Sequence, residues 1–530
     1  MSGRKARWVG LGLVATAGAG VLGLSAMMNP SSAYADDPLP DIGLVIGGTE
    51  LPIPGPDYVA AADELYLDQA PGGVPISDIT SFYQATSTDP SLPGFFGNGL
   101  FTPEGAYPLF GGGVQQLFYN YPLDANGLPS LTTSVGQGAA ILESTIAADQ
   151  AAGDASTVFG YSQSSTLSGI TMQLLDQPGT PQPDSGLQFL LIADPNNPNG
   201  GLFERFNGFE TTSGHTTVDP LNLASLGISF NGATPADDFT TNIYTLEYDG
   251  FADFPRYPLN FVSDLNAFLG IEELHGTYLN GGVDGSGPTA ADIAGATLLP
   301  GSADYGTGNP DSLTNYYMID TLDGNPVTPP LVGLLPEPLQ ALLGPDLTYL
   351  INLGYGDGTL GYSDTAANLP TPFGLFPDVS LSTVLSTLAT DTEQGITAFG
   401  NELSDPAALL PSLDPASSGQ SLTDVLSALS ADAANPAASL TDIVNGISSA
   451  ASTAYSTLLP TADIINSLVT SLPAYDVSLF TDNLSNGDLL DAIGLPIAAD
   501  TAIATLAAGF EVSVLSDATS QIAADFSGLF

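Results

Sequence analysis

Short, unbroken apolar runs alternate with stretches of helical periodicity between residues 40 and 250. Ile42-Gly-Leu-Val-Ile46 is apolar throughout and ends in Gly47-Gly48-Thr49, the pattern of a buried strand entering a tight turn. From Thr133 to Ala152 the apolar positions Ala139, Ala140, Leu142, Ile146 and Ala147 recur at helical spacing. Ser156-Thr-Val-Phe159 is strand-like again and leads into Gly160, and Gln163 to Leu175 has helical spacing that stops before Pro178. Leu187-Gln-Phe-Leu-Leu-Ile-Ala193 and Ile243-Tyr-Thr-Leu-Glu-Tyr248 are two further strands, closed by Asp194-Pro195 and Asp249-Gly250. Strands separated by helices predict an α/β architecture, with a central, mainly parallel sheet joined by crossover helices.

The pattern changes near residue 380. Beyond Pro377 the chain is rich in Ala, Ser, Leu, Thr and Asp and holds no Lys, Arg, His or Trp. Leu422–Leu429 and Thr441–Ile447 look like short amphipathic helices, so a mostly helical, low-complexity extension is expected over 381–530. It either packs on the preceding domain or extends toward the cell envelope. At the other end, Arg4, Lys5 and Arg7 precede an uncharged apolar run from Trp8 to Met28, and Ala33-Tyr34-Ala35 stands before Asp36-Asp37. That is the layout of an export signal over residues 1–35, or of an anchor if it is not cleaved. No later stretch reads as a membrane span. The expected organisation is therefore 1–35 signal, 36–380 α/β domain and 381–530 extension.

Charge removes whole classes of function. Fifty-seven acidic residues face five Lys plus Arg, and Arg205 and Arg256 are the cations that remain beyond the N-terminal segment. Such a surface repels phosphate backbones, so nucleic-acid binding is excluded. Only 12% of residues are charged and 43% are apolar, which separates this chain from disordered acidic ones. With no cysteine, disulfides and thiolate catalysis are impossible; two histidines without cysteine make a zinc site untenable, and no EF-hand spacing is present. No metal and no cofactor is expected.

What remains is nucleophilic chemistry. Gly160-Tyr161-Ser162-Gln163-Ser164 lies between a strand and a helix, where a sharp turn lifts the serine hydroxyl off the sheet. Gly446-Ile-Ser448-Ser-Ala450 has the same spacing but sits in a helical pattern with no strand before it. A serine nucleophile needs a histidine. His215 lies in a polar loop and leaves too little chain for an intervening acid, whereas His275 follows Ser162 and the strand ending at Tyr248, in the order serine, acid, histidine. Asp253 is the expected acid, displaced past the turn toward a loop histidine; Asp249 is the runner-up, and Asp194 reads equally as turn chemistry in Asp194-Pro195. The oxyanion donors are expected from the N–H of Gln163 and from Gly48 and Thr49.

These blocks together resemble a known family. Gly47-Gly-Thr49, Gly160-Tyr-Ser-Gln-Ser164, Asp194-Pro through Asn199-Gly-Gly201, Phe230-Asn-Gly-Ala-Thr-Pro235, Tyr248-Asp-Gly-Phe-Ala-Asp-Phe-Pro255 and His275-Gly-Thr-Tyr278 occur in that order, followed by Leu353-Gly-Tyr-Gly-Asp357 and Pro370-Thr-Pro-Phe-Gly374. They are similar to the PE-PPE-domain serine hydrolases of mycobacteria, cutinase-like α/β hydrolases. The resemblance spans about residues 40–380 and implies esterase action on lipid esters, or acyl transfer to envelope glycolipids, with cell-wall or membrane association. Carried over by motif, it implies Ser162, Asp253 and His275 as the triad. A signal segment stands where the family's helical PE or PPE module would be expected, and the cutinase disulfides have no counterpart. A non-catalytic envelope protein on the same scaffold is the remaining alternative.

Overall fold

Each central strand carries apolar side chains on both faces, as a sheet covered on both sides requires. The computed structural model describes residues 41–48, 51, 54–67, 78–82, 134–176, 186–206, 221–223, 228–230, 232–282, 286–402, 449–450, 453 and 457–527. The strands are β1 (Asp41–Ile46), β2 (Asp78–Phe82), β3 (Ala155–Tyr161), β4 (Leu187–Ile192), the short pair β5 (Asn222–Leu223) and β6 (Ile228–Ser229), β7 (Thr240–Leu246), β8 (Thr297–Leu298) and β9 (Thr314–Ile319). Among the described residues, seven of them form one sheet in the order β2-β1-β3-β4-β7-β9-β8, all parallel except the edge strand β8.

The helices are α1 (Pro56–Ala62), α2 (Ser134–Ala152), α3 (Gln163–Leu175), α4 (Leu202–Arg205), α5 (Phe261–Glu273), α6 (Ala290–Ala294), α7 (Pro330–Gly333), α8 (Glu337–Asn352) and α9 (Leu381–Glu402). Alternation along the strands sends side chains into two cores. Val158, Phe189, Leu191, Ile243 and Met318 pack with Leu142, Ile146, Leu167 and Ile170 of α2 and α3. Val45, Phe159, Leu190, Ile192, Tyr244 and Ile319 pack on the opposite face with Tyr66, Tyr278, Ile351 and Tyr355. Pro56 opens α1, where a missing N–H costs nothing, and the chain continues into a π-helical turn, Asp63–Leu67, that buries Tyr66.

The four strands and the two helices read from the sequence are present with boundaries shifted by a few residues. β9 was not anticipated, so the strand ending near Tyr248 is not the last of the sheet: β9 follows His275 in the chain and pairs with β7. The segments 422–429 and 441–447 lie outside the described residues, as do residues 1–35, His215 and Ser448.

Farther on, helices Leu458–Asn466, Leu472–Ser485 and Leu489–Ser527 follow. Leu472, Tyr475, Leu479, Leu495 and Leu506 share an apolar cluster with Phe203 and Phe206 at α4, Phe268 and Ile271 of α5, and Phe373. Gly509 meets the Phe268 ring so closely that a Cβ would lie 2.6 Å from it. In its described part the extension is therefore packed against α5. Leu489–Ser520 is long and apolar enough, by length and composition alone, to cross a membrane, a test that a packed core helix also passes, and Leu495 and Leu506 of this helix lie in the cluster with Phe268.

Candidate active site

A nucleophile at a strand–helix turn must adopt a backbone conformation that L-residues avoid, and Ser162 does so, with φ 57° and ψ −114° between β3 and α3. Small neighbours make the turn possible. A Cβ on Gly160 would lie 2.9 Å from the Ser164 carbonyl oxygen and 3.0 Å from Leu191. Ser164 is buried and holds the turn: its hydroxyl accepts from the Tyr161 N–H at 2.7 Å and reaches the Ile46 carbonyl at 3.2 Å. The elbow is thereby tied to the end of β1.

Ser162 Oγ lies 2.8 Å from Nε2 of His275. The other ring nitrogen, Nδ1, lies 2.9 Å from both carboxylate oxygens of Asp249. Ser162 is 7% exposed and the His275 side chain 13%, whereas Asp249 is wholly buried. Solvent and substrate thus reach the hydroxyl and the imidazole edge, and the carboxylate is sealed.

The placement of Asp249 corrects the expectation that Asp253 would hold the ring. β7 ends at Leu246, two residues before the strand boundary read from the sequence, and Tyr248 turns the chain sharply at φ 68°. Asp249 is then already at the tip of the turn. The chain next winds back in a helical turn, the Ala252 and Asp253 N–H groups donating to the Asp249 carbonyl at 2.9 and 2.6 Å. This carries Asp253 underneath, where its carboxylate accepts from the Tyr248 N–H at 3.0 Å and braces the turn. Burial pushes the Asp253 carboxyl well above the usual range, opposed by that N–H.

Backbone contact brings the turn to the histidine. A Cβ on Gly250 would lie 2.1 Å from the Ala267 carbonyl oxygen, and one on Gly270 would lie 1.8 Å from that of Tyr248. Only glycine at both positions lets the turn seat directly on α5, whose C-terminal end delivers His275; the His275 N–H still donates to the Gly270 carbonyl at 3.0 Å. Aromatic residues complete the setting. The Tyr161 hydroxyl donates to the His275 carbonyl, the Phe251 ring lies 4.7 Å from the imidazole, and the Tyr66 hydroxyl donates to the Tyr278 carbonyl at 3.2 Å. Tyr278, wholly buried, donates its hydroxyl proton to Asp249 at 2.8 Å. These tyrosines escaped the sequence reading. The visible signal for Tyr161 and Tyr278 was their position inside the motifs, directly before Ser162 and three residues after His275.

The remaining candidates separate clearly. Asp194 is buried in its own turn, accepting from the Asn196 N–H at 3.0 Å and the Thr234 hydroxyl at 2.6 Å. Burial raises its pKa to about 6 against those two donors, and among the described residues no histidine is hydrogen-bonded to it. The backbone of Gln163 opens α3, directly after the nucleophile. Gly48 faces the elbow, since a Cβ there would sit 3.9 Å from that of Ser162; Thr49 lies outside the described residues. Below the site, buried Arg205 donates to the carbonyls of Phe254 and Thr371 and so clamps the chain after the acid turn. Among the described residues no group of three or more His, Cys, Asp or Glu could hold a metal ion.

A parallel sheet with helices on both faces, a strained serine after β3, a carboxylate after β7 and a histidine after α5 defines an α/β hydrolase by fold. The model of the PE-PPE domain matches residues 93–356. An uncharacterised PPE family protein of Mycobacterium tuberculosis, PPE28, is 37% identical over 92% of this chain and 67% of its own length. The chain belongs to the PE-PPE domain family. A second relative from the same organism, named esterase PE16, is 37% identical over 63% of this chain and 51% of its own length. The chain thus spans between half and two thirds of these two relatives. A cutinase-like protein from Cryptococcus sp. aligns at 15% identity with a TM-score of 0.23, over 42% of this chain and 82% of that one.

Proposed function

We propose that this protein is an exported serine hydrolase that cleaves carboxylic esters of lipids through an acyl-Ser162 intermediate. The observation that carries the reading is the unbroken line of contacts from Ser162 Oγ to His275 Nε2 at 2.8 Å and from His275 Nδ1 to Asp249 at 2.9 Å. Asp249 selects the tautomer with the proton on Nδ1, which leaves Nε2 free to take the Ser162 proton as the hydroxyl attacks the ester carbonyl. The imidazolium formed then lies against a buried carboxylate. The tetrahedral oxyanion would be met at the start of α3 by the Gln163 N–H and from the β1 side by Gly48 and Thr49. His275 next returns its proton to the leaving alkoxide, and water attacks the acyl-enzyme by the same route reversed.

The esterase name of one relative supports the substrate class. The basic, then apolar, then Ala-Tyr-Ala pattern of residues 1–35 supports export to the cell envelope. In this reading residues 36–380 hold the catalytic machinery and 381–530 form the helical extension.

A fluorophosphonate probe tests the assignment, because it reacts only with an activated serine. The adduct should map to Ser162, and Ser162→Ala should lose both the adduct and ester turnover while keeping its thermal transition. Turnover retained in Ser162→Ala would overturn the mechanism. Short- and long-chain esters, assayed with and without a glycolipid acceptor, then read acyl length and whether water or a sugar hydroxyl takes the acyl group.

A further inference from the structure

A carboxylate that orients an imidazole must itself be held, and the two oxygens of Asp249 are held differently. Oδ1 accepts from the Phe251 N–H at 3.1 Å, a donor of its own turn that moves with it. Oδ2 accepts from the Tyr278 hydroxyl at 2.8 Å, a donor from the far side of the histidine loop. That hydroxyl in turn accepts from the Leu246 N–H at 2.7 Å, at the last residue of β7. It is therefore the one tie that joins strand end, carboxylate and histidine loop through a single atom. With its oxygen committed to an N–H, the hydroxyl has one direction left for its proton, and that direction is Asp249.

We infer that Tyr278 is a positioning residue of the catalytic acid: its hydroxyl fixes the Asp249 carboxylate in the rotamer that holds the His275 tautomer. The inference rests on the serine hydrolase reading and deepens it. The ring has a separate task. It lies 5.7 Å from the Tyr161 ring, whose own hydroxyl holds the His275 carbonyl, and it is packed in the core with Tyr66 and Tyr244. Tyr278→Phe keeps that packing and removes only the hydroxyl, so it separates the two tasks. The titratable groups facing Asp249 across this volume are His275, Tyr278 and, farther off, Tyr161 and Asp253, and among the described residues no cation replaces the lost donor.

The test is a double-mutant cycle on the full chain, read in kcat for a short soluble ester and in the rate of fluorophosphonate labelling. Tyr278→Phe should lower kcat about tenfold or more and leave KM within about twofold, because a carboxylate free to rotate fails in the transition state rather than in binding. In an Asp249→Asn background the same change should cost less than about threefold, since a residue acting through Asp249 has nothing left to position. A merely structural role gives the opposite pattern: a lower thermal transition, unchanged kcat per folded protein, and equal effects in both backgrounds. That result, with Ser162 still labelled in the unmodified protein, overturns this inference alone. Absence of labelling at Ser162 in the unmodified protein overturns the hydrolase reading and this one with it.

Discussion

Asp249→Asn and Asp253→Asn differ by one amide each, and the structure predicts opposite outcomes. At Asp249 three donors converge on one carboxylate: the Phe251 N–H, the Tyr278 hydroxyl and His275 Nδ1. An asparagine offers a single oxygen. The Phe251 N–H is fixed by the backbone, and leaving it facing an amide NH2 would cost about 1–3 kcal/mol as an unsatisfied buried donor. The amide oxygen therefore turns to Phe251, and the NH2 group faces His275 and the Tyr278 hydroxyl, whose proton loses its acceptor. Nδ1 lies 2.9 Å from both positions, so the NH2 group now competes to donate to it, and the tautomer with the ring proton on Nε2, against Ser162, gains weight. In that tautomer His275 cannot take the serine proton. Loss of the corresponding acid interaction in a serine protease costs about 10⁴ in kcat, the worked figure for that enzyme class. The expectation here is a loss of about 10³–10⁴, or about 4–5.5 kcal/mol of barrier.

At Asp253 the acceptor for the Tyr248 N–H is one oxygen, which asparagine reproduces. Burial already favours the uncharged form of this carboxyl, so the substitution removes little charge, and kcat should stay within about threefold. The assay is steady-state turnover of a short-chain nitrophenyl ester at pH 7, normalised to folded protein by thermal melting. A loss of about a thousandfold in Asp253→Asn alongside a loss below tenfold in Asp249→Asn would refute the placement of the acid.

Two further predictions follow from buried groups and from packing. Glu247 sits directly before the acid turn and accepts from the Gly361 N–H at 2.9 Å, and burial raises its pKa from the ordinary 4.5 to about 8. The folded protein then holds a proton that the unfolded chain releases above pH 4.5, so stability falls as pH rises from about 4.5 to about 8. At about 1.4 kcal/mol per unit the ceiling is about 4–5 kcal/mol, and Glu247→Gln should raise stability at pH 8 by about 1–2 kcal/mol after relaxation, with no gain at pH 4.5; equal melting shifts at both pH values would contradict it. Truncation after residue 380 should label at Ser162 yet fold poorly. It uncovers Phe206, Phe268, Ile271 and Phe373, on the order of 10 kcal/mol of lost burial at about 1.5–3 kcal/mol per side chain, and a truncated protein that melts within about 3 °C of the full chain would show the cluster to be dispensable.

The strands that carry the site were legible because their apolar runs were unbroken and their closing turns carried glycine or proline. β9 was not, since Thr314-Asn-Tyr-Tyr-Met-Ile319 mixes polar and aromatic residues and follows a long irregular stretch. Ser162 and His275 could be singled out by local context and by scarcity, with only two histidines in the chain. The acid was ambiguous because Asp249 and Asp253 both follow the same strand. What separates them is where β7 stops, the left-handed conformation of Tyr248 and the contact of Gly250 and Gly270 with their neighbours' carbonyls. Those are facts about chain direction that residue types alone do not express. The partition at 380 was read from composition, and the apolar cluster joining Leu479 and Leu506 to Phe206 and Phe268 crosses it, because packing follows surface complementarity and is indifferent to sequence complexity.

The scarcity of cations decides how the site is built. In many proteins a buried carboxylate is balanced by Arg or Lys, but the mature chain proposed here has only Arg205 and Arg256. Arg205 is spent on backbone carbonyls, where burial and then Arg256 lower its pKa to about 10. The buried acids therefore take their hydrogen bonds from neutral donors, and Arg205 acts on Asp253 only through space. Asp194 takes a hydroxyl and an N–H, Asp253 an N–H, Glu247 an N–H, and Asp249 an N–H and a tyrosine hydroxyl in addition to His275. Neutral donors offset only part of the desolvation cost of an ionised carboxylate, which is why Asp194, Asp253 and Glu247 are all shifted upward. Asp249 differs in facing His275, the ring that in the proposed mechanism takes the proton of Ser162. In the proposed mechanism catalysis and charge balance thus coincide: the imidazolium formed as Ser162 attacks lies against Asp249, so the acid stabilises the transition state more than the ground state.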